Sequence, residues 1–235
     1  VQAAPTVHET EYMLGIADSC DQIGGVIGWI NFEDPASRET LARLAQHPKL
    51  LGVRPMIQDL PDDDWMLRPD IQWAYDAITE HDLVFEALGF PRHIKNFQTL
   101  LARYPGMRVV LNHCLKPQIR DYPDDPNAFS DWAAGMTTLA EDTQAVCKFS
   151  ALVTEAKPDW TDEALRPFTD HIIGAFGPDR LMWGSDWPVA LLASSYERWL
   201  QSARALTNQL SAEDQDAIFF ATANRFYRMG LPSNA

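Results

Sequence analysis

Cysteine is scarce in this sequence: its 235 residues contain only Cys20, Cys114 and Cys147, and none of them forms a CxxC pair. Three scattered cysteines make neither a disulfide framework nor a thiolate zinc site, so we expect a reducing, cytoplasmic location. Long hydrophobic runs are also missing, because no apolar stretch approaches the roughly 20 residues that span a bilayer. We therefore expect no membrane partner.

Positive charge is the second shortage. The chain has 19 Lys and Arg against 33 Asp and Glu, a net charge of −14, which argues against a nucleic-acid partner or an anionic membrane surface. With 46% hydrophobic residues, the chain is long enough for one sizeable core, and we expect a single domain over 1–235. It opens on 1–5 with neither an initiator Met nor a basic signal region, so we expect an N-terminal portion to be absent. The sequence does not indicate the oligomeric state.

Short apolar runs alternate with helical patterns along the whole chain. The predicted strands are 1–4, 25–32, 51–57, 83–88, 107–114, 145–152 and 181–185. The predicted helices are 6–20, 35–47, 70–81, 91–104, 126–143, 162–176, 194–208 and 212–228. The strand starts lie roughly 25 to 38 residues apart, the spacing of βα units, and continuous apolar strands are typical of a buried parallel sheet. A closed (β/α)8 TIM barrel has eight strands, so seven units predict an α/β barrel that is N-terminally truncated, without its first strand and helix.

Polar side chains recur where these strands end. They are Arg54, Glu86, His113, Lys148 with nearby Ser150, and Asp186. A charged group on a strand that is buried on both faces is costly unless it is paired or binds a ligand. The carboxyl ends of barrel strands are where catalytic residues lie, so the series predicts an active site.

Each of these residues also has a structural alternative. His113 could be a hydrogen-bonded core histidine, and Asp186 could cap its loop through Asx-type bonds. Arg54 could be the structural partner of a buried carboxylate such as Glu86, and Lys148 could serve in the same kind of pair. The sequence alone leaves these alternatives open.

Ordered motifs along the chain resemble the amidohydrolase superfamily, and within it the sugar-lactonase branch that includes fuconolactonases and the pyrone-dicarboxylate lactonase. The matching pieces are Val1-Gln2-Ala3, Gly25-Val26-Ile27-Gly28-Trp29, Gly52-Val53-Arg54-Pro55-Met56-Ile57-Gln58, Pro91-Arg92-His93-Ile94, Asn112-His113-Cys114-Leu115-Lys116-Pro117, Lys148-Phe149-Ser150-Ala151-Leu152-Val153-Thr154-Glu155, Gly184-Ser185-Asp186-Trp187-Pro188 and Asn224-Arg225-Phe226-Tyr227. Each piece alone is weak, but the ordered set spans nearly the whole chain.

The resemblance implies that Asp186 is the catalytic aspartate of the last barrel strand and that His113 matches the histidine of the family's sixth strand. One departure is large, because the family's first strand carries a His-x-His pair and this sequence has none. We expect that strand to lie upstream of Val1.

The expected reaction is hydrolysis of a small-molecule substrate, a sugar lactone or carboxylated lactone. Asp186 would be the general base for water, and His113 would polarise the carbonyl. Arg54, Glu86, Lys148 and Trp187 are the predicted substrate-binding residues.

The family resemblance allows no cofactor or one divalent metal ion, most readily zinc, held by His113 and Asp186. Two ligands are fewer than the three protein ligands usual for catalytic zinc, so we expect weak metal binding or none. The alternatives are a metal-dependent amidohydrolase or decarboxylase on the same barrel, and a catalytically inactive barrel that acts as a binding protein.

Overall fold

The parallel sheet predicted from the sequence is present in the computed structural model, which describes residues 1–122 and 124–232. Residue 123, inside the predicted loop 117–126, and the C-terminal 233–235 lie outside the described residues. The six strands are β1 (Val26–Gly28), β2 (Leu50–Val53), β3 (Val84–Ala87), β4 (Arg108–Leu111), β5 (Val146–Phe149) and β6 (Leu181–Trp183). Every neighbouring pair is parallel and the strands follow chain order, in an α/β fold whose sheet curls into a half-barrel.

Segment 1–4, predicted as the end of a seventh strand, is not a strand. The N–H of Gln2 donates to the Ile27 carbonyl of β1 at 2.8 Å, but the chain then turns at Pro5, which has no N–H for a ladder. Thr6 next caps the first helix by accepting a backbone N–H on its hydroxyl. The described residues therefore hold six strands rather than the seven predicted.

Most of the helices pack on the outer face of the sheet, whereas the last of them packs against its inner face. The helices are α1 (Val7–Asp18), α2 (Ser37–Leu44), α3 (Gln72–Glu80), α4 (Ile94–Arg103), α5 (Pro126–Asp142), α6 (Leu152–Glu155), α7 (Asp162–Phe176), α8 (Tyr196–Leu206), α9 (Ala212–Asp216) and α10 (Thr222–Tyr227). The predicted helix 212–228 is interrupted by a π-helical segment, Ala217–Ala221. Within the described residues, no helix has both the length and the apolar character needed to cross a membrane.

Alternation along the strands separates two packing faces, because successive side chains of a strand point to opposite sides. The outer-facing positions join the large core beneath the helices. The inner-facing positions form a small apolar layer that packs against α10; its buried members are Val84, Val110, Val146 and Met182. Two residues further along each of these strands, the same inner face carries Glu86, Asn112, Lys148 and Gly184. The inner face thus changes from apolar to polar toward the carboxyl ends of the strands.

Candidate active site

The five predicted polar residues all lie at or just beyond the carboxyl ends of the strands. Glu86 and Lys148 are each one residue before the end of β3 and β5. Arg54, His113 and Asp186 follow β2, β4 and β6 within three residues. Because parallel strands end at one edge of a sheet, residues far apart in the chain meet there.

His113 and Asp186 form the centre of this group. The His113 Nε2 lies 3.5 Å from the Asp186 Oδ1, and the two side chains are 11% and 12% exposed. Both residues have left-handed backbones, with φ of 54° and 53°, a conformation that is uncommon and unfavourable for residues other than glycine. Non-glycine residues held in this conformation cluster at active sites and ligand-binding sites.

Ser150 supports His113 from the side opposite Asp186. Its Oγ lies 2.6 Å from the His113 Nδ1, and the serine is 1% exposed. Ser150 is recognisable in the sequence at a strand end, but no role is predicted for it there. The imidazole therefore lies between a buried hydroxyl and a carboxylate.

Burial shifts the pKa values of this pair in opposite directions. Desolvation raises the pKa of Asp186 to about 6, although the charges of Lys116 and Arg54 act to lower it. Desolvation also lowers the pKa of His113 well below its usual value, with Arg54 and Lys148 adding to the effect. At neutral pH the site therefore holds a neutral imidazole beside a carboxylate that titrates close to physiological pH.

Glu86 and Lys148 form an ion pair beside this centre, in which the Glu86 side chain is fully buried and that of Lys148 is 12% exposed. The Lys148 Nζ donates to the Glu86 Oε2 at 2.5 Å and to the Asn112 Oδ1 at 3.3 Å. The Tyr227 hydroxyl, from α10, donates to the other Glu86 oxygen. Burial alone would raise the pKa of Glu86, but Lys148 and Tyr227 bring it below the usual value. Both Glu86 oxygens already have protein partners, so a substrate contact would have to compete with these bonds.

Arg54 is held by the N-terminal segment. Its guanidinium donates to the Gln2 carbonyl oxygen, and the Gln2 side-chain amide donates to the Arg54 carbonyl at 2.8 Å. The Arg54 Nε is buried and has no hydrogen-bond partner among the described residues. An unpartnered buried N–H is costly, so this donor of Arg54 is unsatisfied within the described residues. Sequence reasoning did not identify Gln2 or Tyr227, because nothing local shows that chain termini approach the strand ends.

The outer part of the site is more open. Trp187 is 63% exposed, directly after Asp186. An open pocket of about 520 Å³ has Lys116 and Glu155 in its wall, and their charged atoms are 3.8 Å apart. Lys116 also exerts the largest pKa-lowering charge effect on Asp186. These two residues lie within the matched motifs, yet the sequence did not distinguish them as site residues.

The residues present do not fit a three-ligand zinc centre. Within 1–122 and 124–232, no group of three His, Cys, Asp or Glu side chains is placed to hold a metal ion. At the strand ends, His113 and Asp186 provide two possible ligands, and the charges of Arg54, Lys148 and Lys116 act on them. Catalytic zinc usually has three protein ligands, and nearby cations oppose a further positive charge.

Comparison with known proteins gives a consistent result. A family model described as Amidohydrolase matches residues 1–229. An L-fucono-1,5-lactonase of Burkholderia ambifaria is 37% identical over 237 residues, which cover 99% of this chain and 80% of the relative. An L-fucono-1,5-lactonase of Burkholderia multivorans is 35% identical over 254 residues, covering 100% and 81%. A crystal structure of an amidohydrolase from Burkholderia multivorans with bound zinc superimposes with a TM-score of 0.90 at 33% identity, over 98% of this chain and 82% of that one.

Proposed function

The chain belongs to the amidohydrolase family, and on this basis we propose that it is a hydrolase that opens a small sugar lactone by attack of water. The observation that carries the proposal is the contact of Asp186 with His113 at the carboxyl ends of the strands. The two relatives named L-fucono-1,5-lactonase support the choice of substrate class.

In the proposed reaction, the Asp186 carboxylate takes a proton from water, and the resulting hydroxide attacks the lactone carbonyl. A general base works best when its pKa lies near the operating pH, and burial places the pKa of Asp186 at about 6. His113 is neutral and donates a hydrogen bond to the carbonyl oxygen as negative charge develops there, the role of an oxyanion-hole group. Collapse of the tetrahedral intermediate breaks the ring C–O bond, and the proton held by Asp186 passes to the leaving alkoxide.

The remaining predicted residues have proposed roles in binding. Arg54 offers its guanidinium to a substrate hydroxyl or carboxylate, supported by its position directly after β2 at the strand ends. Trp187 lines the open side, supported by its exposure. Lys148 faces the substrate with its charge balanced by Glu86, whose own bonds favour an anchoring role over direct contact.

The complete barrel architecture, the cellular location and the extent of metal binding are also proposals. We propose that the half-barrel belongs to a (β/α)8 architecture, supported by six parallel strands in chain order. A cytoplasmic location is supported by the three cysteines, all of which are free thiols. In the described residues the site offers the two ligands His113 and Asp186, fewer than the three usual for catalytic zinc, so we propose weak metal binding or none for this chain.

A substrate panel tests the proposed function. Purified protein should hydrolyse sugar lactones, measured by acid release, and should leave aromatic carboxylates and amides unchanged. Asp186→Asn should abolish lactone hydrolysis, whereas Asp170→Asn, an exposed aspartate of α7, should retain it. Turnover by Asp186→Asn would remove Asp186 from its role. Decarboxylation or amide hydrolysis would favour the metal-dependent alternative, and ligand binding without turnover would favour a binding protein.

Metal content gives an independent test. Elemental analysis of the purified protein should find well under one zinc per chain, and treatment with a chelator should leave lactone hydrolysis unchanged. Tight, stoichiometric zinc would contradict the proposed metal-independent reaction.

A further inference from the structure

Ser150, His113 and Asp186 form a line of three polar groups that resembles a catalytic triad but has the opposite order. In a serine hydrolase the serine bonds to Nε2 of the histidine and the acid bonds to Nδ1. Here Ser150 contacts Nδ1 at 2.6 Å, and Asp186 faces Nε2 at 3.5 Å. Since Ser150 is also 1% exposed, its hydroxyl is not placed to attack a substrate.

The direction of the Ser150–His113 bond follows from counting donors and acceptors. A neutral imidazole has one N–H donor and one acceptor nitrogen, whereas a serine hydroxyl has one donor hydrogen. Among the described residues, the His113 Nδ1 is the one hydrogen-bond partner of the Ser150 Oγ. A buried hydroxyl hydrogen without an acceptor is costly, so Ser150 donates and Nδ1 accepts.

The Asp186 side of the ring leads to the same tautomer. With Nδ1 accepting, the proton lies on Nε2, on the side of the ring that faces the Asp186 Oδ1, an acceptor when ionised. The 3.5 Å separation is longer than a well-formed N–H···O hydrogen bond, so Asp186 favours this tautomer without occupying the donor. The opposite tautomer would direct the lone pair of Nε2 at a carboxylate oxygen and leave the Ser150 hydrogen unpaired. Two neighbours on opposite sides of the ring thus select one arrangement.

We infer that Ser150 is a positioning residue that holds His113 in its Nε2–H tautomer, so that the imidazole presents a hydrogen-bond donor to the reacting carbonyl. The catalytic part of this inference rests on the proposed lactone hydrolysis, whereas the tautomer itself does not. The Nε2–H tautomer also disfavours metal binding at His113. A metal ion on Nε2 would require the proton on Nδ1 and would leave the Ser150 hydroxyl without its acceptor.

The tautomer can be measured without a substrate. Nitrogen-15 NMR of histidine-labelled protein distinguishes protonated from unprotonated ring nitrogens, and the His113 signals are those lost in His113→Gln. We expect an unprotonated Nδ1 and a protonated Nε2 in the wild-type protein at neutral pH. A protonated Nδ1 with a bare Nε2 would overturn the inference, even if lactone hydrolysis proceeds as proposed.

Removal of the hydroxyl gives the second measurement. Ser150→Ala should allow the Nδ1–H tautomer to appear in the spectrum and lower kcat about tenfold, equivalent to ~1.4 kcal/mol in the barrier, with KM within about twofold. Ser202→Ala, which removes a hydroxyl from a buried serine of α8, should change neither the spectrum nor kcat. An unchanged His113 spectrum in Ser150→Ala would show that Ser150 does not set the tautomer. Failure of the whole lactone panel would refute the proposed function and leave the NMR result to decide the tautomer.

Discussion

Replacing Asp186 with asparagine should stabilise the folded protein at the same time as it abolishes turnover. Burial raises the pKa of Asp186 from an ordinary value of 3.8 to about 6, which means that the folded environment disfavours its charged form. Asparagine has nearly the same shape, keeps an acceptor oxygen toward His113 and carries no charge. The variant therefore removes the cost of burying the carboxylate and little else.

The magnitude follows from the pKa values. The difference between about 6 and 3.8 corresponds to about 3 kcal/mol, and because part of the side chain still contacts solvent we expect about 1 to 3 kcal/mol. The destabilising effect of Asp186 is fully present above pH 6. It declines as the pH falls toward 3.8, because the folded state takes up the proton before the unfolded state does. The advantage of asparagine should therefore fall to about half near pH 5.

Urea unfolding at pH 8 and at pH 5 measures this difference, with Asp170→Asn as the control. Asp170 is exposed, so its variant should match the wild-type protein within about 0.5 kcal/mol at both pH values. An Asp186→Asn protein that is no more stable than wild type at pH 8 would refute the reasoning. So would a stability gain that is the same at both pH values.

Three further predictions concern the candidate site. The acid limb of the pH dependence of kcat/KM should have an apparent pKa of about 6, because Asp186 must be ionised to accept a proton from water; a flat profile between pH 5 and pH 7.5 would contradict this. Glu86→Gln should lower the free energy of unfolding by about 3 to 5 kcal/mol, because it leaves Lys148 buried without its counter-charge; a loss below 1 kcal/mol in urea unfolding would disagree. Tyr227→Phe should cost about 1.5 to 3 kcal/mol in the same assay, since the lost hydroxyl donates to a charged acceptor, and an unchanged stability would count against that bond.

Helices and strands could be predicted well where the hydrophobic pattern along the chain was strong and local. Six of the predicted strand positions overlap an observed strand. The apolar residues spaced along one face of α4 are buried; they are Ile94, Phe97, Leu100 and Leu101. The predicted strands were too long, because apolar residues continue past the last ladder bond into the loops that carry the site. Segment 1–4 looked like a strand for the same reason, although it makes a single backbone bond to β1.

The candidate site was only partly predictable. Asp186, His113 and Lys148 were recognisable because polar residues interrupt apolar strands. Ser150 was visible at a strand end, but its partner could not be known without the register of β4 against β5. Tyr227 lies 141 residues from Glu86 in the chain, a separation at which no local pattern gives a signal.

The sequence by itself determined the alternation of strands and helices, the parallel sheet and the polar residues at the strand ends, since each follows from local hydrophobic spacing and from the cost of burying charge. Only the tertiary structure decided which of those residues touch. The curl of the sheet places Asp186 and Ser150 on either side of His113. It also brings Lys148 and Tyr227 to the two carboxylate oxygens of Glu86. Burial in that arrangement raises the pKa of Asp186 and lowers that of His113, and desolvation of this kind depends on packing in three dimensions that no sequence pattern records.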